Sequence, residues 1–168
     1  MKIFLFLFII PFSKFTFAQP KTIHVYAFVA EECPISIYMA GALSEIAQLY
    51  YSKADFNLVF PLKSSNRKTA DLFKTKNKLP LYNIIVDKEQ TISKRLGATV
   101  TPEVIITDAE NKIIYQGRIN DAYLEPGKRR HIYSSNDLNA ALAAITEGKE
   151  FPKPWKKAVG CYITYTKK

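Results

Sequence analysis

Cysteine is scarce in this chain: its 168 residues hold two, Cys33 and Cys161. Two thiols cannot build the disulfide framework of a small stapled domain, and a chain this long can bury a core that needs none. Histidine is as scarce, with His24 and His131 far apart and no metal-ligand spacing around them. One cysteine and two unaligned histidines do not make a ligand set, so no metal and no other cofactor is expected. Long apolar runs are missing after residue 12, which leaves no later stretch able to span a bilayer of about 20 helical residues. Internal repeats, low-complexity segments and dividing linkers are missing too, which points to one domain.

What the N-terminus does hold is a basic start at Lys2 and an apolar run, Ile3 to Phe12, with Pro11 at its close. Thr16-Phe17-Ala18 then offers small residues at −3 and −1 of a cut before Gln19. This pattern predicts a secretory signal peptide over residues 1–18, the alternative being an uncleaved anchor. The reading divides the chain into the signal peptide, a domain over 19–151 and a tail over 152–168 that carries Cys161. The mature protein is expected to be exported, periplasmic or extracellular, with no stable membrane span.

The net charge is +9 for the whole chain. In an exported protein, nucleic acid is not an expected partner. The basic residues are spread along the chain, as in Lys63, Arg67, Lys68, Lys74, Lys76 and Lys78. They read as solvated faces, with weak attraction to anionic membrane surfaces as the limit.

Thr22 to Ala30 is β-branched and aromatic and becomes apolar on both faces, as a central buried strand does. His24 within it reads as a half-buried surface residue. Met39, Leu43, Ile46, Ala47 and Tyr50 share one face of a helix that follows. Asp55 to Phe60 reads as a second strand, Ser65 to Thr75 as a surface helix, and Tyr82 to Asp87 as a third strand. A short helix then runs from Lys88 to Leu96 and ends at Gly97. Glu103 to Asp108 and Ile113 to Gly117 should pair as a hairpin, followed by a polar loop from Arg118 to Tyr133. Ser134 or Ser135 is the expected cap of a last helix with Leu138, Leu142 and Ile145 on its apolar face and Gly148 at its end. Val159 to Tyr165 reads as an edge strand or an extended cover. Early alternation implies parallel strands with crossover helices, and the hairpin adds antiparallel ones. The expected architecture is α/β, a mixed sheet with helices on both faces.

Cys33 falls where the first strand gives way to the first helix. Pro34 suits the first helical position, since its fixed φ fits and its missing N–H is not needed there. A thiol at that place meets the positive end of the helix dipole and free N–H donors, and both favour the nucleophilic thiolate. Glu31 and Glu32 should oppose this. Ser36, one turn on, can donate a hydrogen bond to the thiolate. The plainer alternatives are a packing cysteine and an ordinary first-turn serine.

A cysteine that opens the first helix, in Glu32-Cys33-Pro34-Ile35-Ser36, and a Thr101-Pro102 pair ahead of a strand–turn–strand ending in Gly117 together resemble the thioredoxin-fold superfamily. The nearest likeness is to exported thioredoxin-like and peroxiredoxin-like redoxin domains. The likeness runs from Thr22 to about Gly148. It implies a three-layer α/β/α fold with a C-terminal hairpin plus helix. It also implies a cis peptide at Thr101-Pro102 beside Cys33, and a site at which Pro34, Thr101 and Pro102 bind an extended substrate. The chain departs from that pattern at Ser36, where thioredoxins carry their second cysteine, and at Ala30, where peroxiredoxins carry a threonine that helps bind peroxide. Arg118 is the candidate for an anion-stabilising arginine. Cys161 is left as a resolving thiol, half of a permanent bridge to Cys33, or an unpaired cysteine.

The leading expectation is therefore a thiol–disulfide protein. Cys33 is its nucleophile, Ser36 and Cys161 assist, and protein thiols or disulfides and an external reductant are its partners. The alternatives are a peptide-binding module without turnover and a thiol peroxidase.

Overall fold

The structure, a computed structural model, describes residues 23–165. The signal peptide read over residues 1–18 lies outside the described residues. Strand β1 (Ile23–Phe28) is the middle of a five-stranded sheet. It runs parallel to β2 (Ala54–Phe60), and β2 runs parallel to β3 (Asn83–Val86). On its other side β1 runs antiparallel to a strand at Glu103–Thr107, which pairs antiparallel with one at Ile113–Gly117. With a two-residue strand β4 at Val100–Thr101 counted first, these last two are β5 and β6, and the sheet order is β3-β2-β1-β5-β6. The mixed sheet is the one expected from the order of elements.

The strand period of two divides the sheet's side chains between two cores. Val25, Ala27, Phe56, Leu58, Phe60, Val104 and Ile106 point to one face, where α1 (Pro34–Tyr50), α2 (Arg67–Lys76) and α4 (Asp137–Thr146) supply Leu43, Ile46, Phe73, Leu138 and Leu142. Phe28, Val59 and Ile105 point to the other, against Leu96 of α3 (Thr91–Leu96) and Ile163 of the tail. The result is three layers, helix, sheet and helix. Both faces of β1 are covered, which is why its run reads as nearly continuous apolar sequence.

The boundaries follow local chemistry. Asn66 caps α2, accepting from the Thr69 N–H while the Thr69 hydroxyl accepts from the Asn66 N–H, a reciprocal capping box. The last helix is capped by Asn136 and not by Ser134 or Ser135. Those two serines are held instead by Asp121, whose carboxylate accepts from the Ser134 N–H at 2.7 Å and the Ser135 N–H at 2.9 Å. The region read as a polar loop contains a short hairpin, β7 (Tyr123–Glu125) and β8 (Lys128–Arg129), turning at Gly127 with φ 83°. His24 is half-buried, as expected, and lies 3.6 Å from Asp55.

Beyond α4 the tail folds back over the sheet. Phe151 and Trp155 pack on the ring of Tyr115. The Lys156 carbonyl accepts from the Arg118 N–H, so close to Gly117 that a Cβ there would fall 2.3 Å from the Lys156 oxygen. Strand β9 (Cys161–Tyr162) then pairs antiparallel with β4, Thr101 facing Cys161 and Val100 facing Tyr162. Ile163 is buried, its N–H donates to the Thr99 carbonyl, and the side-chain amide of Gln90 donates to the Thr164 carbonyl. Among the described residues no helix is long and apolar enough to cross a membrane.

Candidate redox site

Cys33 is the N-cap of α1, with extended backbone at φ −80° and ψ 113°, and Pro34 follows at the helix's first position. A cap usually offers an oxygen to the helix's free N–H groups. Here the side chain is a thiol, no side-chain cap bond forms, and no acidic residue occupies the first turn. The sulfur sits at the open N-terminal end of the helix, the positive end of its dipole. Pro34 is exposed on the rim and Ser36 is fully buried beneath it.

Ser36 is held from behind: its hydroxyl oxygen accepts from the Ala30 N–H at 3.3 Å. Its hydroxyl and its backbone N–H lie close enough to favour the Cys33 thiolate and lower that thiol's pKa. Ala30, the position of the missing threonine, thus contributes its main chain to the serine.

Thr101 and Pro102 reach the site from far along the chain. Their peptide bond is cis, both residues are buried, and the Cys33 thiol donates to the Thr101 carbonyl at 3.1 Å. A residue that the sequence reading placed only as the start of a strand fixes this loop. Glu103, only 4% exposed, accepts from the Thr99 N–H at 2.6 Å and the Thr99 hydroxyl at 3.2 Å, and takes the Gln116 amide at 3.1 Å on its other oxygen. The signal was a lone carboxylate at the head of a wholly buried strand, where an unpaired charge is too costly to persist.

Cys161 arrives on β9, directly across from Thr101, close enough to Cys33 for each thiol to shift the other's pKa. Both cysteines are free thiols. Burial pushes the Cys33 thiol up, but the Cys161 thiol, the Ser36 N–H and hydroxyl and the Cys161 N–H outweigh it and leave its pKa below that of an ordinary thiol. Its bond to the Thr101 carbonyl favours the protonated form and works with burial. Cys161 is pushed up to about 11, by burial first and then by donating to and sitting beside Cys33. The pair is biased unequally: Cys33 is the thiol that loses its proton more readily, and Cys161 the one that holds on to it.

Exposure is divided the other way. Cys33 is 3% exposed, whereas Cys161 is an exposed residue on a two-residue strand. The force opposing ionisation at Cys33 is burial and not the neighbouring carboxylates. Glu31 is turned toward α2, where Ser65 and Thr69 each donate to it at 2.7 Å. Arg118 does not face the sulfur as an anion donor. Its guanidinium is bound to Asp137 at 2.8 Å and to Ser135 at 3.0 Å. The structure therefore gathers Cys33, Pro34, Ser36, Thr101, Pro102 and Cys161 in one place, while Arg118 lines a small cleft beside Pro102 with its guanidinium committed to Asp137 and Ser135. Among the described residues no cluster of three or more metal-ligating side chains is present.

No protein-family model and no curated protein matches this sequence. Solved structures do. A conserved protein of uncharacterized role from Geobacillus kaustophilus superposes with a TM-score of 0.73 at 23% identity, covering 87% of this chain and 78% of its own. A secreted disulfide oxidoreductase from Mycobacterium tuberculosis, homologous to E. coli DsbE, gives 0.54 at 18% identity, with 73% and 81% covered. The thioredoxin domain of a thiol-disulfide oxidoreductase from Bacteroides vulgatus gives 0.55 at 10% identity, with 74% and 79% covered. With the mixed sheet, the cysteine at the mouth of α1 and the cis-proline turn opposite it, these likenesses show that the chain has the thioredoxin fold.

Proposed function

We infer that the protein is an exported thiol–disulfide redox protein in which Cys33 is the nucleophile. One observation carries this reading. A free thiol caps a helix N-terminus beside a cis-proline turn, and a second free thiol is delivered to the same place on β9. In the reaction, the Cys33 thiolate attacks one sulfur of a partner's disulfide. The new bond is a mixed disulfide at Cys33, and the partner's other sulfur leaves with the electron pair. Cys161 then gives up its proton and attacks Cys33, which releases the partner as a dithiol and leaves a Cys33–Cys161 disulfide. An external thiol reductant returns the protein to its starting state. Export is supported by the N-terminal pattern and by the likeness to a secreted oxidoreductase.

The test is reduction of a peptide disulfide by the purified mature protein. Cys33→Ser should abolish it, and Cys161→Ser should stall at a mixed disulfide on Cys33. Unchanged exchange in Cys33→Ser ends this reading.

A peptide-binding role without turnover draws on one feature, the edge of β4, which accepts an antiparallel strand and here holds β9. Partner capture that survives Cys33→Ala would favour it. Peroxide reduction is less well supported, because Ala30 has no hydroxyl and Arg118 is committed to Asp137.

A further inference from the structure

We propose that the two cysteines serve different partners: substrate disulfides are attacked by Cys33, but the reductant that regenerates the oxidised protein attacks Cys161. This rests on the redox reading above and assigns the second half of its cycle.

Cys33 is reached by lifting β9. The strand is two residues long and holds its place by pairing with β4. In the reduced protein nothing covalent ties it down, so it can open and admit a partner. In the oxidised protein the Cys33–Cys161 bond fastens β9 across the site. The sulfur of Cys33 then stays beneath the strand, next to buried Ser36 and Thr101. Cys161 is itself an exposed residue, on a two-residue strand at the surface. Of the two sulfurs in the bond, only that of Cys161 stands where solvent-borne thiolates arrive.

The leaving group favours the same choice. In thiol–disulfide exchange the better leaving sulfur is the one whose thiolate is more stable, and access decides which sulfur is attacked. Cys33 departs into the N–H and hydroxyl of Ser36, a site already built to hold its charge. Among the described residues no comparable set of donors faces Cys161.

A reductant thiolate bonds to Cys161 Sγ, the Cys33–Cys161 bond breaks, and its electron pair stays on Cys33 as thiolate. A second reductant thiolate attacks the reductant sulfur of the mixed disulfide. Those two sulfurs join as the reductant's disulfide, and Cys161 leaves as a thiolate that takes a proton from water. Two thiolates are oxidised to one disulfide, and the protein's disulfide is reduced by the same two electrons.

The experiment uses the oxidised wild-type chain and glutathione as the probe. Intact mass first establishes that the internal disulfide has formed. Glutathione is then added with iodoacetamide present, so that whichever cysteine is released is alkylated before it recloses, and the peptides are mapped by mass spectrometry. The expected product carries glutathione on Cys161 and the alkyl group on Cys33, in excess over the reverse by about tenfold or more. Glutathione on Cys33, or equal labelling of the two, overturns the proposal and leaves the redox reading standing. If the oxidised chain contains no internal disulfide, the resolving role of Cys161 and this proposal fall together.

Discussion

Gly160 and Thr101 meet backbone to backbone: a Cβ built on Gly160 would lie 2.2 Å from the Thr101 carbonyl oxygen. No side chain fits there without displacing one strand from the other. Gly160→Ala should therefore push β9 off β4 while leaving the main sheet intact. The expected signature is slower closure of the Cys33–Cys161 disulfide together with faster alkylation of Cys33. Overpacking of this kind costs about 1–3 kcal/mol, so a fall in Tm of several degrees is expected. Disulfide closure at the wild-type rate would show that β9 docking does not govern the meeting of the two sulfurs.

Ser36→Ala removes the hydroxyl that serves Cys33 and orphans the buried Ala30 N–H. The alkylation rate of Cys33, followed against pH, should move its inflection upward toward that of an ordinary thiol. Stability should fall by about 1–3 kcal/mol, the cost of an unpaired buried donor. Cysteine at the same position would restore neither bond in kind. Ser36→Thr, which keeps the hydroxyl, should keep the inflection low. An unshifted profile in Ser36→Ala would remove the serine from the account of thiolate stability.

Glu103→Gln tests the loop that carries Thr101. The carboxylate accepts from Thr99 on one oxygen and from the Gln116 amide on the other. An amide can accept on only one side, and its NH2 faces a donor on the other. Hydrogen bonds to a charged group contribute about 1.5–3 kcal/mol each, so chemical denaturation should show a loss of that order. Disulfide exchange should slow as well, because Thr101 loses its fixed place. A stable variant with wild-type exchange would make Glu103 incidental.

Acid stability should depend on Asp121. The Ser135 N–H, then the Ser134 hydroxyl and N–H and the nearby Arg130 hold its carboxyl well below the usual carboxylate range, against the opposing pull of burial. A depressed folded pKa means that the stabilisation is complete above the unfolded carboxylate pKa of about 4 and is lost as pH falls below it. Thermal unfolding should show the wild type losing more Tm than Asp121→Asn between neutral pH and pH about 3. Equal losses would remove Asp121 as a source of the acid response.

The long elements were legible because burial writes a period into sequence. Tyr26 and Phe28 alternate with Val25 and Ala27 between the two cores, and the Met39–Leu43–Ile46 stripe sets α1 on the sheet. The helix mouth at Cys33 was legible from Pro34 and the change of period beside it. The short strands were not. Two residues each in β4, β8 and β9 show no period, and their pairing is decided by contacts made far along the chain, as Thr101 with Cys161. The cap of α4 was misplaced for the same reason: Ser134 and Ser135 are good local caps, but Asp121 claims them. Whether the two cysteines approach each other could not be read locally either, since 128 positions separate them and a docked tail closes the gap.

The packing of Phe151 and Trp155 on Tyr115, and of Lys156 against Gly117, fixes the tail ahead of β9. If β9 lets go, the tether between the fixed Lys156 and the sulfur is the five residues from Lys157 to Cys161, and a leash of that length reaches at most roughly 17 Å. The second sulfur cannot wander off. It returns as though dissolved at millimolar concentration or more beside the first, so closure of the ring outruns capture by any dilute thiol in the surroundings.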